Sequence, residues 1–228
     1  MTDRQRTQIT SRKKPQQARS SDLVAAILEA AIQVLSREGA ARFTTTRVAE
    51  RAGVSVGSIY QYFPNKAAIL FRLQSDEWRE TSDMLRATLV DASRPPLERL
   101  RRLVHAFVRS ECDEAAMRVA LADAAPLYRD APEAHAARAS SKGILQAFMR
   151  ETLPDATPAV RSLAGNLVKS TLSSVGQEFS ETPRNAREIA RWSDAMADMF
   201  AAYLVGLGHV APAPAPARGR ARPARAGA

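Results

Sequence analysis

The amino-acid sequence predicts an all-α protein with a small N-terminal helix-turn-helix unit and a larger C-terminal helical domain. Three observations support this fold class. Apolar residues recur at helical spacing through nearly all of residues 21–210, no segment alternates as a strand would, and capping residues, glycine and proline bound the helical stretches. The length of 228 residues is enough for one or two domains with a substantial core.

The first helices follow from their start and stop residues. A helix is expected from Asp22 to about Glu38, where Gly39 ends it. Two short helices are expected within residues 44–63, and a long helix over about residues 66–91.

Proline marks the later helices. Pro96 suits the first turn of a helix, because the N–H that proline lacks is unpaired there in any case. Residues 113–151 are expected to form two helices that are interrupted around Pro126–Pro132. The last two helices are expected over about residues 157–180 and 183–207, opened by Thr157-Pro158 and Thr182-Pro183.

The formal net charge of +9 resides in the two ends of the chain. Residues 1–20 contain six basic side chains and one acidic one, and residues 211–228, rich in proline, alanine and arginine, contain four basic side chains and no acidic one. Both ends are predicted to be disordered, because neither can bury enough apolar surface to fold. The basic balance indicates an anionic partner, which is nucleic acid or, as the rival interpretation, an anionic membrane surface.

Composition and motifs argue against several classes of function. Cys112 is the only cysteine, so no internal disulfide or cysteine-based zinc cluster is expected, and a reducing, cytoplasmic location is favoured. No phosphate-binding loop, dinucleotide fingerprint or nucleophile motif is present, which predicts a non-enzyme without a cofactor. His105, His135 and His209 lack metal-ligand spacing, so no metal site is expected. No secretion signal is expected, because the first 20 residues are polar and basic without an apolar core. No membrane span is expected either, since prolines interrupt the uncharged stretch after Asp198.

Residues 44–63 have the pattern of a helix-turn-helix. Thr44 is placed to cap a two-turn helix that ends at Ala52, Gly53 allows a tight turn, and Ser55 is placed to cap the next helix. Apolar side chains at helical spacing are expected to face inward. They are Val48, Val54, Ile59 and Phe63, with the small Ala49 where the two helices cross.

The second helix of this unit presents an outward face suited to the major groove of DNA. Gly57 and Ser58 lack bulk and allow close approach, Gln61 can hydrogen-bond adenine edges, and the methyl groups of Val56 can contact a thymine methyl. A helical hairpin buried in an all-α core is the alternative, and the expected exposure of two tyrosines argues against it. Donor groups at the flanks, where phosphates would lie, belong to Thr45, Tyr60, Tyr62 and Lys66.

From Asp22 to Lys66 the sequence resembles the TetR family of bacterial transcriptional regulators. The resemblance implies a three-helix DNA-binding unit, joined by the helix at 66–91 to a domain that holds a ligand pocket and a dimer interface. The matching residues are Gly39, Thr44-Thr45, Val48-Ala49, Ala52-Gly53-Val54-Ser55, Gly57-Ser58-Ile59-Tyr60, Tyr62-Phe63 and Lys66.

The resemblance also assigns roles to particular residues. Ser58 stands where the family most often has threonine, and the basic segment before the first helix is longer than the family minimum. Base contacts are implied for Val56, Gly57, Ser58 and Gln61, and phosphate contacts for Thr45, Thr46, Tyr60, Tyr62 and Lys66.

Four segments are therefore expected along the chain. They are a disordered basic arm over residues 1–20, a DNA-binding domain over 21–66, a regulatory and dimerisation domain over 67–210, and a disordered tail over 211–228. The arm either enters the adjacent minor groove or is a solvated tail that adds affinity without sequence preference. The sequence leaves both roles open.

A homodimer is expected, because one recognition helix reads few base pairs whereas two-fold symmetry supplies a palindromic site. The helices at about 157–180 and 183–207 carry wide apolar stripes, and Ala164, Gly165 and Gly176 would allow close helix approach. The alternative is that these stripes fill only the core of the protomer.

The sequence does not name the small-molecule effector. His105 and Glu111 could orient a polar ligand group, and Cys112 is either a redox sensor or a small hydrophobic residue. The residues that could line a cavity, each of which could equally be core, are Trp78, Met84, Phe107, Met117, Tyr128, Phe148 and Met149.

Taken together, the sequence predicts a DNA-binding transcriptional regulator, a ligand-responsive repressor that binds a palindromic operator as a dimer. Ligand binding beyond residue 91 would shift the helix at 66–91 and change the spacing of the two recognition helices. The alternative is a nonspecific nucleic-acid or membrane-surface protein driven by its basic ends.

Overall fold

The computed structural model describes residues 8–12, 18–139 and 142–209, and all regular structure within these ranges is helical. The tail over residues 211–228 lies outside the described residues, as do 1–7 and 13–17 of the arm. The elements are α1 (Ala18–Arg42), α2 (Thr45–Ala52), α3 (Val56–Tyr62), α4 (Lys66–Leu89), α5 (Pro96–Asp113), α6 (Ala115–Ala124), a 3₁₀ turn (Ala125–Leu127), α7 (Pro132–Ala139), α8 (Lys142–Thr152), α9 (Pro158–Ser180) and α10 (Ala186–Gly206).

The all-α fold class and the positions of α2 to α5 and α9 are confirmed. The first helix starts earlier than expected, at Ala18 instead of Asp22, because Ala18 and Arg19 are good helix formers that extend it. The helical stretch also runs past Gly39, whose φ of 74° breaks the regular geometry near the expected end.

The expected start of the last helix at Thr182-Pro183 is wrong. Asn185 caps α10 instead, since its Oδ1 accepts hydrogen bonds from the backbone N–H groups of Arg187 and Glu188, each at 3.0 Å. The Glu188 carboxylate accepts the Asn185 N–H at 2.9 Å, which completes a capping box and fixes the helix start.

The expectation of two helices over residues 113–151 is also wrong. Three α-helices and the 3₁₀ turn occupy this stretch, because Pro126 is accommodated in the 3₁₀ turn and Pro132 starts α7.

Two apolar cores organise the molecule. The N-terminal core is built from α1 to α4, and it also contains Ala120, Leu121 and Ala124 of α6 and the nearby Tyr128. The second core is built mainly from α5, α8, α9 and α10, with Leu89 from the end of α4. Both α4 and α6 therefore connect the helix-turn-helix with the rest of the protein.

None of the helices within the described ranges combines the length and apolar character that crossing a membrane requires.

Candidate DNA-binding face and ligand cavity

The helix-turn-helix is built by local caps on both of its short helices. The Thr44 hydroxyl accepts the Arg47 N–H at 3.2 Å and begins α2. Gly53 ends α2 in the left-handed region, with φ of 68°, where a side chain would be strained. The Ser55 hydroxyl accepts the Ser58 N–H at 3.0 Å and begins α3.

Helix α3 is buried on one side and exposed on the other. Ile59 and Phe63 are fully buried in the N-terminal core, whereas Gly57, Tyr60 and Gln61 are exposed. Among the other predicted base-contact residues, Val56 and Ser58 are half-buried, and the Ser58 hydroxyl lies 2.8 Å from the Ser55 hydroxyl. The exposed face is polar and low in bulk near the start of the helix.

Gly57 is not required by packing within the protein. A methyl group added there would meet only the Ser55 hydroxyl oxygen, at an ordinary contact distance of 3.6 Å. Because glycine within a helix costs about 0.5–1 kcal/mol relative to alanine, the residue is unfavourable for the fold itself. Close approach of another molecule to this face would account for it.

The predicted phosphate-contact residues lie at the edges of this face, with one exception. Thr46 and Lys66 are exposed, and the hydroxyl groups of Thr45 and Tyr60 lie 3.3 Å apart. The expected exposure of Tyr62 is wrong: this side chain is only 7% exposed and belongs to the N-terminal core. It follows Ile59 by three residues, so it shares the inward side of α3. The phosphate contact of Tyr62 remains a prediction, and only a small part of its side chain is accessible to make that contact.

Residues 8–12 pack against the helix-turn-helix, which corrects the expectation that the whole arm is disordered. Ile9 is 3% exposed and inserts into the N-terminal core. The Asn65 side-chain amide donates to the Gln8 carbonyl at 2.9 Å, and the Arg12 N–H donates to the Tyr62 carbonyl at 2.7 Å. The sequence held one signal for this: Ile9 is the only isoleucine, leucine, valine or aromatic residue within residues 1–20.

A cavity of about 890 Å³ lies among the helices from α4 to α9, with His135 as the lining residue of α7. Trp78, Phe107 and Glu111, three of the residues proposed for such a cavity, line it. His105 instead pairs with Asp194 of α10, at 3.0 Å. The remaining candidates are core residues: Tyr128, Phe148 and Met149 are buried, and Met84 and Met117 pack against the cores.

A buried ionic cluster forms part of the cavity wall. The Arg118 guanidinium donates to Glu77 at 2.5 Å and to Glu111 at 3.0 Å through one nitrogen, and to Glu114 at 2.9 Å through another. Burial raises the pKa of the Glu77 and Glu111 carboxyls, and the Arg118 charge only partly opposes that effect. Sequence reasoning missed Glu77, although it follows Leu73 by four residues on the buried stripe of α4.

The Cys112 thiol is in a poor environment for a redox sensor. Burial raises its pKa, with the Asp113 charge adding to the effect, so the reactive thiolate is disfavoured. The half-buried cysteine packs against the second core, as a small hydrophobic residue would.

Helices α9 and α10 leave large apolar side chains uncovered. Leu163 is 64% exposed and Leu167 is 46% exposed on α9. Trp192, Met199 and Val205 of α10 are 45–52% exposed. Large apolar side chains left exposed on two long helices are typical of a surface that another protein covers.

The short capped helices, the tight glycine turn and the separate helical domain define a helix-turn-helix protein. Residues 27–73 match the model described as bacterial regulatory proteins of the TetR family, and residues 95–207 match the tetracycline repressor-like C-terminal domain. The chain belongs to the TetR family of bacterial regulatory proteins.

Relatives and solved structures agree with this assignment. The chain is 40% identical over 81 residues to the nucleoid occlusion factor SlmA of Vibrio campbellii, covering 35% of this chain and 40% of that protein. It is 41% identical over 81 residues to the HTH-type transcriptional regulator TtgR of Pseudomonas putida, covering 35% of this chain and 38% of that protein. The chain thus spans about 40% of the length of the curated relatives it matches. The fold resembles that of FadR from Bacillus subtilis in complex with stearoyl-CoA, with a TM-score of 0.59 and 16% identity over 78% of this chain and 97% of that one.

Proposed function

We propose that the protein is a sequence-specific DNA-binding transcriptional regulator that acts as a ligand-responsive repressor. The observation that carries this proposal is the exposed face of α3, where Gly57 is unfavourable for the helix and unnecessary for packing. Close approach to a base-pair edge gives this glycine a purpose, with Gln61 placed to hydrogen-bond an adenine and Val56 to contact a thymine methyl. Its place of action would be the cytoplasm, where the bacterial chromosome lies.

The DNA-bound form in this proposal is a homodimer on a palindromic site of double-stranded DNA. The exposed apolar side chains of α9 and α10 support it, because a two-fold axis between these helices would bury them against their copies. Two copies of α3 would then enter successive major grooves on one side of the duplex. The dimer interface corresponds to about residues 157–180 and 183–207.

The cavity gives the proposed regulator a place for an effector. Helix α4 lines the cavity and also contributes Leu70 and Leu73 to the N-terminal core. Helix α6 lines it through Arg118 and Leu121, and Leu121 also belongs to that core. A ligand that favours one arrangement of α4 and α6 would thereby change the spacing of the two α3 helices. FadR from Bacillus subtilis, which shares the fold, was solved in complex with stearoyl-CoA, and this supports a small-molecule effector here. Because FadR is only 16% identical to this chain, it does not indicate which molecule the effector is.

The test compares DNA binding across sequences as the salt concentration rises. A genomic fragment selection would first identify the bound site. The full chain is then expected to prefer that site over random DNA by about a thousandfold or more at physiological salt. Equal binding to all sequences would instead support the alternative of a tail-driven nonspecific binder.

The predicted phosphate contact of Lys66 can be tested in the same assay. Lys66→Ala is expected to weaken binding to every sequence alike and to reduce the salt slope by about 0.9, the value for one phosphate contact. Arg150→Ala, which removes an exposed cationic side chain on α8 outside the proposed interface and the cavity, is the control and should leave the slope unchanged. An unaltered slope in Lys66→Ala would remove this residue from the site.

A further inference from the structure

The cavity wall contains more buried carboxylates than one guanidinium can neutralise. Glu77 and Glu111 both contact Arg118, so these three cavity-lining groups have a net charge of −1 when every group is ionised. Glu114 contacts Arg118 from outside the cavity and adds a further negative charge. The side chains of Glu77 and Glu111 are each only 8% exposed, and both line the cavity. Buried charge without a matching partner is costly, so this wall favours an added positive charge.

Glu111 provides an open acceptor towards the cavity. Its Oε1 accepts from Arg118 at 3.0 Å, and no hydrogen bond to its Oε2 is formed within the described part of the chain. The Oε2 atom is not among the fully buried atoms without a partner, so it keeps contact with the space of the cavity. Glu77 is better satisfied, because Thr81 donates to its Oε1 at 3.1 Å and Gln74 to its Oε2 at 2.9 Å. Glu111 is therefore the group with capacity for a further hydrogen bond or ion pair.

The electrostatics of the two carboxyls agree with this geometry. Burial raises the pKa of both groups, and the opposing attraction of Arg118 is smaller than the effect of burial. A second positive charge beside them would lower both pKa values towards their ordinary range.

The rest of the wall suits a largely apolar body. Trp78 and Phe107 line the cavity next to aliphatic side chains, and an aromatic face also attracts a cation. Two cationic side chains, Arg161 and Lys169, reach the cavity from α9, where Lys169 is exposed and Arg161 is half-buried. Water and salt screen these two charges more than the buried cluster.

We infer that the cavity binds an amphipathic organic cation, whose charged group sits at the Glu77 and Glu111 carboxylates in competition with the Arg118 guanidinium. This assignment names the effector class for the proposed regulator and rests on that function only for its regulatory meaning. An apolar tail ending in this wall would shield the open side of the Glu111 carboxylate from water without giving it a new partner, so a lipid-like anion fits it poorly.

The experiment uses two probes of nearly the same size and shape but opposite charge. Calorimetric titration of the full chain with tetraphenylphosphonium is expected to give binding at least about tenfold tighter than with tetraphenylborate. Equal or tighter binding of the borate, tighter binding of lauroyl-CoA, or no binding of the phosphonium would overturn the assignment.

Two substitutions of glutamate by glutamine test where the charged group of the phosphonium probe binds. Glu111→Gln is expected to weaken phosphonium binding by about tenfold, because it removes the open carboxylate from the wall. Glu114→Gln is the matched control, since Glu114 contacts the same guanidinium but does not line the cavity. Circular dichroism should show unchanged helix content in both variants. Equal losses in two folded variants would contradict the site.

A third variant tests the competition with Arg118. Arg118→Met keeps an apolar stem and removes the internal cation, so it should bind the phosphonium more tightly. Weaker binding by a variant with unchanged helix content would show that the two cations do not share the carboxylates.

Binding and regulation are measured separately. Phosphonium binding without any change in DNA affinity would contradict the ligand-responsive part of the proposed function and leave the cation site standing. Sequence-specific DNA binding together with tighter binding of tetraphenylborate would contradict the cation site and leave the DNA-binding part of the proposed function standing.

Discussion

The hydroxyl groups of Thr45 and Tyr60 lie 3.3 Å apart and join the first turn of α2 to the last turn of α3. Both residues are predicted to contact phosphates, and the pair orients two donors on the same side of the helix-turn-helix. One of the two hydroxyls donates to the other, and the one that accepts is left free to donate to a phosphate, so the two groups are expected to act as a unit.

A double-mutant cycle measures the coupling free energy between the Thr45 and Tyr60 hydroxyls in DNA binding. Tyr60→Phe and Thr45→Val should each weaken DNA binding by about 0.5–1.5 kcal/mol, the usual net contribution of a hydrogen bond. The double variant should lose less than the sum, because either change already disrupts the pair. Fluorescence anisotropy with the selected DNA site gives the four affinities, and strictly additive losses would show that the hydroxyls act independently.

Gly57→Ala should affect folding and binding in opposite directions. The alanine fits without a clash and is expected to stabilise the fold by about 0.5–1 kcal/mol, measured by urea denaturation. The added methyl group would hold α3 away from the base pairs, so affinity for the selected site should fall. A variant that is more stable and binds DNA as tightly as the original protein would refute the close-approach role.

Gln61→Ala should relax specificity at one base position. Loss of a side-chain contact to a base edge costs about 1–3 kcal/mol at the contacted pair and little elsewhere. Affinities for a set of single-base variants of the site provide the measurement. Gln146→Ala, an exposed glutamine on α8, is the control that should retain the original preference. Unchanged preference in Gln61→Ala would exclude this residue from base recognition.

Ile9→Asp should release residues 8–12 from the N-terminal core. A carboxylate in this apolar site is expected to reduce the free energy of unfolding by about 1–3 kcal/mol, limited by how much docking of the segment contributes. The Arg12 amide, which donates to the Tyr62 carbonyl at 2.7 Å, should lose its protection from hydrogen exchange. Thr10→Asp places the same charge at an exposed neighbour and should leave both quantities unchanged.

Leu163→Glu should separate the proposed dimer. Leu163 and Val90 are both 64% exposed. Val90 follows the end of α4 and lies outside the proposed interface, so Val90→Glu is a matched control for the introduced charge. Two glutamates that meet across a two-fold interface would repel, whereas those at position 90 would stay in water. Sedimentation at micromolar concentration should show monomers only for Leu163→Glu. A monomeric original protein would contradict the dimer altogether.

The helix-turn-helix could be predicted because its signals are local. Thr44, Gly53 and Ser55 act on neighbouring backbone groups, and the period of a helix places Val48 and Ile59 inside. The same periodicity accounts for the burial of Tyr62, three residues after Ile59, which the sequence analysis expected to be exposed. The exposed Gly57 and Gln61 were likewise predicted from their positions on α3.

The sequence therefore determined the helical fold, the family and the exposed side of α3, because their signals are caps, turns and periodicity that act within a few residues. Tertiary structure alone decided the docking of Ile9 and the meeting of Glu77 with Arg118, which lie 41 positions apart in the chain. Such contacts depend on how whole helices pack, and a charged residue in the sequence does not reveal whether packing will bury it. The net charge showed the same limit: it lay in the two ends of the chain, while the charges that shape the cavity belong to an overall neutral middle.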